Sequence, residues 1–118
     1  MPRVDIPVVI TDRSATPTII GANGSETAGD ATNEMEFVND GKTLLLMRNS
    51  GATLRNWELV TQASPDGHSI PVRTGTLAAG DHKVLGPFAP GLYNDSTGKV
   101  QINIDHLEVE FQAISLGA

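Results

Sequence analysis

The residues of this chain best equipped for chemistry are three histidines, His68, His82 and His106, and three serines set among turn formers, Ser14, Ser64 and Ser96. A zinc or iron site needs imidazoles or carboxylates at a spacing that brings them to one point. No two histidines stand in an HxH or HxxxH relation, so that chemistry has no support. A nucleophilic serine sits on a sharp glycine-flanked turn between strand and helix, and none of the three has that setting. Glu108 and Glu110 alternate along a strand-like run, where carboxylates solvate a sheet. Asn94-Asp-Ser-Thr97 offers oxygen ligands, but the spacing of a calcium loop is missing and the segment reads as a capped turn. The glycines fall in turns between strands, so no phosphate cradle at a helix start is expected. With no cysteine there is neither a disulfide framework nor a thiolate metal site. The sequence therefore leads to a protein that is not an enzyme, with no catalytic residue, no cofactor and no metal.

The elements that would position any side chain are strands. Phe37-Val-Asn-Asp-Gly-Lys-Thr43 reads as a strand, a hairpin turn at Asp40-Gly41, and a second strand. Leu44 to Met47 is continuously apolar, which suggests cover on both faces. Arg55, Trp57 and Leu59 alternate with Asn56 and Glu58. Pro65-Asp66-Gly67 is a turn by mechanism. The runs 70–77 and 82–88 read as a pair around Ala78-Ala-Gly-Asp81. Val100, Ile102 and Ile104 alternate with Gln101, Asn103 and Asp105. Leu107, Val109 and Phe111 repeat the pattern, with a slip of phase near Ala113 that suggests a bulge. Turn signals recur roughly every 8–12 residues without a helical period. That pattern predicts an all-β fold, an antiparallel β-sandwich or jelly-roll-like barrel over residues 35–118. Its predicted core contains Phe37, Leu45, Trp57, Leu59, Phe88, Val100, Ile102, Val109 and Phe111.

Composition bounds the partners. A chain of 118 residues fits one domain. Its 14 acidic and 8 basic residues give a net charge of −6, and the basic residues are scattered, so no nucleic acid is expected as a partner. No apolar run is long enough to span a membrane, and Met1-Pro-Arg-Val-Asp-Ile-Pro7 lacks the apolar core of a signal peptide. The expectation is a protein made in the cytoplasm, with no membrane partner. Aromatic residues are only 4% of the chain. A core so poor in rings is aliphatic and thin, and a neighbouring subunit could complete it.

Residues 1–34 differ from the rest. Val4 to Ile10 is apolar enough for one strand, with Pro7 marking an edge or irregular strand. The polar stretch that follows is broken only by Ile19 and Ile20. This region reads as an extended N-terminal arm. Val4, Ile6, Val8 and Ile10 would point one way and Asp5, Pro7, Val9 and Thr11 the other, ready to add to the open edge of a neighbouring sheet. Val4, Ile6, Val8, Ile10, Ile19 and Ile20 are the candidate contact residues. Residues 1–20 are expected to be poorly ordered until the arm docks.

Two ordered stretches carry a family likeness. Residues 29–52, with Phe37-Val-Asn-Asp-Gly-Lys-Thr43, and residues 76–105, with Gly86-Pro-Phe-Ala-Pro90, Tyr93-Asn-Asp95 and Gly98-Lys-Val-Gln101, resemble small head decoration (cement, accessory) proteins of tailed bacteriophages. Ala89-Pro90 stands where Pro-Pro is more usual there, a minor change in a turn. The resemblance covers roughly residues 28–114 and is weakest over the arm. It implies a capsid decoration protein on the outer surface of the virion, bound to the major capsid protein and commonly a homotrimer. Another minor virion component, such as a head–tail connector or tail protein, and a carbohydrate- or host-surface-binding β-sandwich are the alternatives. Gly86 to Asp95 then reads as a rigid crossover, with Phe88 plugging one end of the sandwich. Tyr93 would pack its ring and bond backbone through its hydroxyl.

Overall fold

In the computed structural model, which describes residues 3–11, 26–62 and 73–116, the chain forms two five-stranded mixed sheets packed face to face. The strands are β1 (Val4–Asp5), β2 (Val8–Thr11), β3 (Thr27–Ala28), β4 (Met35–Val38), β5 (Thr43–Asn49), β6 (Arg55–Leu59), β7 (Arg73–Leu77), β8 (His82–Leu85), β9 (Lys99–Ile104) and β10 (Val109–Leu116). A single helical turn, α1 (Pro90–Tyr93), precedes β9. The first sheet runs β1-β4-β9-β6-β7. The second runs β2-β10-β5-β8, with β3 also paired to β10. All nine residues of the predicted core are buried, joined by Ile6, Met35, Met47, Leu77, Leu85, Ile104 and Ala113. The all-β sandwich is as the alternation foretold.

The expected hairpins are a different matter. Four connections that read as local turns pass from one sheet to the other: β4 to β5, β5 to β6, β7 to β8 and β9 to β10. Asp40-Gly41 does turn the chain, and Gly41 takes φ 90°. Yet β4 pairs with β9 while β5 pairs with β10 and β8. Asn39 explains the crossing. It is buried, and its amide donates to Phe88 O at 3.1 Å and to Asn94 Oδ1 at 2.7 Å, while its own carbonyl accepts from Asn94 Nδ2. The turn is thus tied to a distant loop rather than folded back on itself. The slip of phase near Ala113 is no bulge either: β10 pairs with β5 without interruption from Val109↔Asn49 to Ser115↔Thr43. Gln112 and Ile114 are buried on the outer side of that strand while Phe111 and Ala113 face the core, so burial on both faces, not a break in register, disrupts the pattern.

Every strand pair within residues 35–116 is antiparallel. The two parallel pairs both come from the N-terminal segment: β1 beside β4, and β2 beside β10. One extended segment thus closes one flank of both sheets, changing sheets at Ile6-Pro7. Val4 N donates to Glu34 O and Ile6 N to Glu36 O, each at 2.8 Å. Pro7, which has no N–H to donate, sits at the crossing, where no ladder bond is required of it. Residues 3–11 are therefore built into the sandwich, and β3 pairs with β10 as well, so pairing continues across the expected boundary at residue 34.

The Gly86–Asp95 segment is anchored by rings. Phe88 is 1% exposed and lies 5.5 Å from the Phe37 ring and 5.6 Å from that of Tyr93, the latter edge-on. Tyr93 packs its ring against the core, and among the described residues its hydroxyl has no hydrogen-bond partner. The segment ends in a tight turn organised by Asp95, whose carboxylate accepts from the Thr97 amide and hydroxyl, the Lys99 amide and Gln101. Burial raises the pKa of Asp95, but these bonds outweigh it and hold the group at about 2.

Candidate interaction surface

A sandwich whose core is closed can meet a partner only through its outer faces, its loops at either end and its open strand edges. Strand alternation decides what each outer face carries. On the first sheet the residues between Met35, Phe37, Val100, Ile102 and Leu59 point outward: Asp5, Glu36, Val38, Lys99, Gln101, Asn103, Glu58, Asn56, Thr74 and Thr76. Apart from Val38, 50% exposed at the end of β4, that face is polar and tightly bonded. Lys99 Nζ lies 3.2 Å from Glu36 and 3.3 Å from Asp5, and these bonds, Glu36 first, hold its ammonium pKa above the usual value. The Arg3 guanidinium donates to Asn103 Oδ1 at 2.7 Å and to Met35 O at 3.1 Å, pinning the N-terminal strand to β4 and β9.

The second sheet differs. Its outer face carries a row of Val9, Ile114 and Leu44 in register, and beside it Gln112, Leu46 and Val84. Ile114 and Gln112 are buried, Leu44 and Leu46 half-buried, and Val9 and Val84 are 39% and 59% exposed. Leu116, 45% exposed, extends this apolar surface at the end of the sheet, whereas Ile10, 65% exposed, alternates to the opposite side of β2. A charged cluster bounds it on the other side. Arg48 bonds Glu26 at 2.8 Å and also Glu110, and the Glu26 bond chiefly raises its pKa further.

The six candidate contact residues separate accordingly. Ile6 is 1% exposed and forms part of the core, so it offers no surface to a partner. Its side chain is spent on joining the two sheets, a role that the strand pattern read in isolation could not reveal. Val4 and Val8 are half-buried and pack against the core. Ile10 alone of the four is well exposed. Ile19 and Ile20 lie outside the described residues. The surface that alternation within the arm missed is Val9 with Leu44, Leu46 and Val84. The continuous run Leu44–Met47 was its signal, since an apolar residue on both faces of a strand implies something to cover the outer one.

His82 is exposed on β8, His106 lies in the β9–β10 turn, and His68 is outside the described residues. Among the described residues no three histidine, aspartate, glutamate or cysteine side chains converge as metal ligands. No protein-family model, curated protein or solved structure matches this chain.

Proposed function

We propose that this chain is a capsid decoration protein of a tailed bacteriophage, binding the outer surface of the major capsid protein shell and stabilising the head. The resemblance of residues 28–114 to such proteins motivates the reading. The observation that carries it is the unequal pair of outer faces: one sheet is mostly polar and internally bonded, with Val38 exposed at one end, and the other presents Val9, Leu44, Leu46 and Val84 with exposed Leu116. A rigid module with one apolar face is suited to lying flat on a larger surface. The same face would serve repeatedly in a closed homotrimer placed over a symmetry axis of the shell.

The experiment is a binding assay with shells that lack the protein. Val9→Glu and Val84→Glu alter exposed side chains and leave the core intact, so the unfolding temperature stays near that of the parent. Co-sedimentation with the shell is expected to fall at least tenfold for the double variant, about 1.4 kcal/mol of binding free energy. Undiminished loading of a folded double variant would remove this face from the contact.

A further inference from the structure

The flank opposite the N-terminal strand is open. Among the described residues no strand lies beyond β7 in the first sheet or beyond β8 in the second. The direction of the free main-chain groups on β7 follows from its neighbour. Asn56 N donates to Asp105 and Val60 N to Gln101 O, so the main chain of Asn56, Glu58 and Val60 faces β9. Their partners in β7, Thr76 opposite Asn56 and Thr74 opposite Glu58, therefore turn their own N–H and C=O groups away from β6, toward the open side. Lys83 Nζ, reaching from β8, donates to Thr76 O at 2.8 Å, in agreement with that direction. The edge thus already holds a lysine ammonium of this chain.

Beside this edge lies a shallow groove of about 410 Å³ on the polar outer face. Its walls are two cross-strand rows, Thr76-Asn56-Asp105 and Thr74-Glu58-Asn103, and its floor is the main chain of the inward-facing residues between them. Glu58 is held in place: Arg3 fixes Asn103 through Oδ1, and Asn103 Nδ2 donates to Glu58 Oε1 at 3.0 Å. Among the described residues none donates to Glu58 Oε2. Asp105 is fixed in the same manner by Asn56. Among the described residues the groove thus carries two carboxylates and no lining cation, and it opens at the β7 edge, which no described strand pairs and where Lys83 holds Thr76 O.

We propose that the β7 edge and this groove bind an extended segment of a partner protein that carries a lysine. Its main chain pairs with Thr74 and Thr76, and its ammonium reaches over Thr74 to Glu58 Oε2. Strands pair about 4.8 Å apart, so the added strand lies roughly 10 Å from β6, a gap that a lysine and a glutamate side chain together span. Main-chain pairing supplies affinity and the groove supplies choice of side chain. Asp105 adds to the negative potential without touching the ammonium. Lys83 must leave Thr76 O when the segment docks, and until then it keeps the edge from pairing with other copies.

The test needs only the isolated full chain and so does not depend on the shell assignment. The probe is an acetylated, amidated peptide Thr-Val-Thr-Lys-Thr-Val-Thr, titrated into isotope-labelled protein. Amide shifts are expected at residues 73–77 and 56–58. Replacing the peptide lysine by glutamine, or Glu58→Gln in the protein, is expected to weaken binding by about threefold to fivefold, the scale of an exposed charge pair. The same peptide N-methylated on its edge-facing residues should not bind. Shifts that centre on β8 or the second sheet, or equal binding of the N-methylated peptide, would overturn the edge assignment. Equal binding of the lysine and glutamine peptides would overturn the lysine assignment. No shift at millimolar peptide would overturn both.

Discussion

Replacing Ile6 with alanine separates a strand that belongs to the fold from an arm that merely follows it. Ile6 is 1% exposed, sits where the chain passes from one sheet to the other, and packs in the same cluster as Met35 and Phe37. Burying an isoleucine side chain is worth about 2–3 kcal/mol. Alanine also leaves a cavity at a junction held from both sides by strand pairing, where collapse is limited. The expected loss is about 3 kcal/mol, within the usual range for Ile→Ala in a core. The main-chain bonds of Val4 and Ile6 to Glu34 and Glu36 survive the change, so the loss reports the side chain alone. For a chain of this size that corresponds to a fall in unfolding temperature of roughly 10–15 °C. Ile10→Ala is the control: at 65% exposure it should stay within about 0.5 kcal/mol of the parent. Urea titration of the three proteins provides the comparison. If Ile6→Ala and Ile10→Ala are equally mild, residues 3–11 do not close the sandwich and the reasoning from their pairing fails.

Other expectations follow from single contacts. A Cβ at Gly75 would lie 2.4 Å from Trp57 Cζ2, so Gly75→Ala should destabilise by about 1–3 kcal/mol through overpacking and alter the tryptophan fluorescence. Asn39→Ala leaves Phe88 O and the Gly41 amide without their partner, at a cost of about 2–3 kcal/mol by chemical denaturation. Asp95 has a folded pKa of about 2 against an ordinary 3.8, so its stabilisation is present above pH 3.8 and is lost as pH falls through 2. Asp95→Asn should flatten that part of the curve of unfolding temperature against pH. Glu34 behaves in the opposite sense. Burial chiefly raises its pKa above 4.5, although its carboxylate accepts from Ile104 N at 2.8 Å and Arg3 is near. The protonated form suits the fold better, so the group's contribution is favourable below 4.5 and is lost as pH rises through the folded pKa. Glu34→Gln should be the more stable protein at pH 7, with the difference shrinking toward pH 4.

What alternation could show, it showed. Trp57 and Leu59 against Glu58, and Val100 and Ile102 against Gln101, place the core face of each strand because a period of two is intrinsic to extended backbone. It could not show which strands pair. Asp40-Gly41 supplies a turn in either case, and whether the chain folds back or crosses to the other sheet depends on Asn39 meeting Phe88 and Asn94, some 50 residues away. The N-terminal segment failed for a related reason. Val4, Ile6 and Val8 alternate as an edge strand should, but only the gap between the two sheets makes Ile6 a core residue. The groove beside β7 was least visible, since Thr74, Glu58 and Asn103 are ordinary surface residues until three strands bring them side by side.

The most direct test of the decoration reading is the amount of this protein in purified phage particles, measured against the major capsid protein by quantitative mass spectrometry. Repeated use of one face on a symmetric shell predicts roughly hundreds of copies per particle, released without loss of the tail. About a dozen copies, or copies that leave only with the tail, would contradict the account and assign the chain to a connector or tail. Absence from the particle would contradict any virion role.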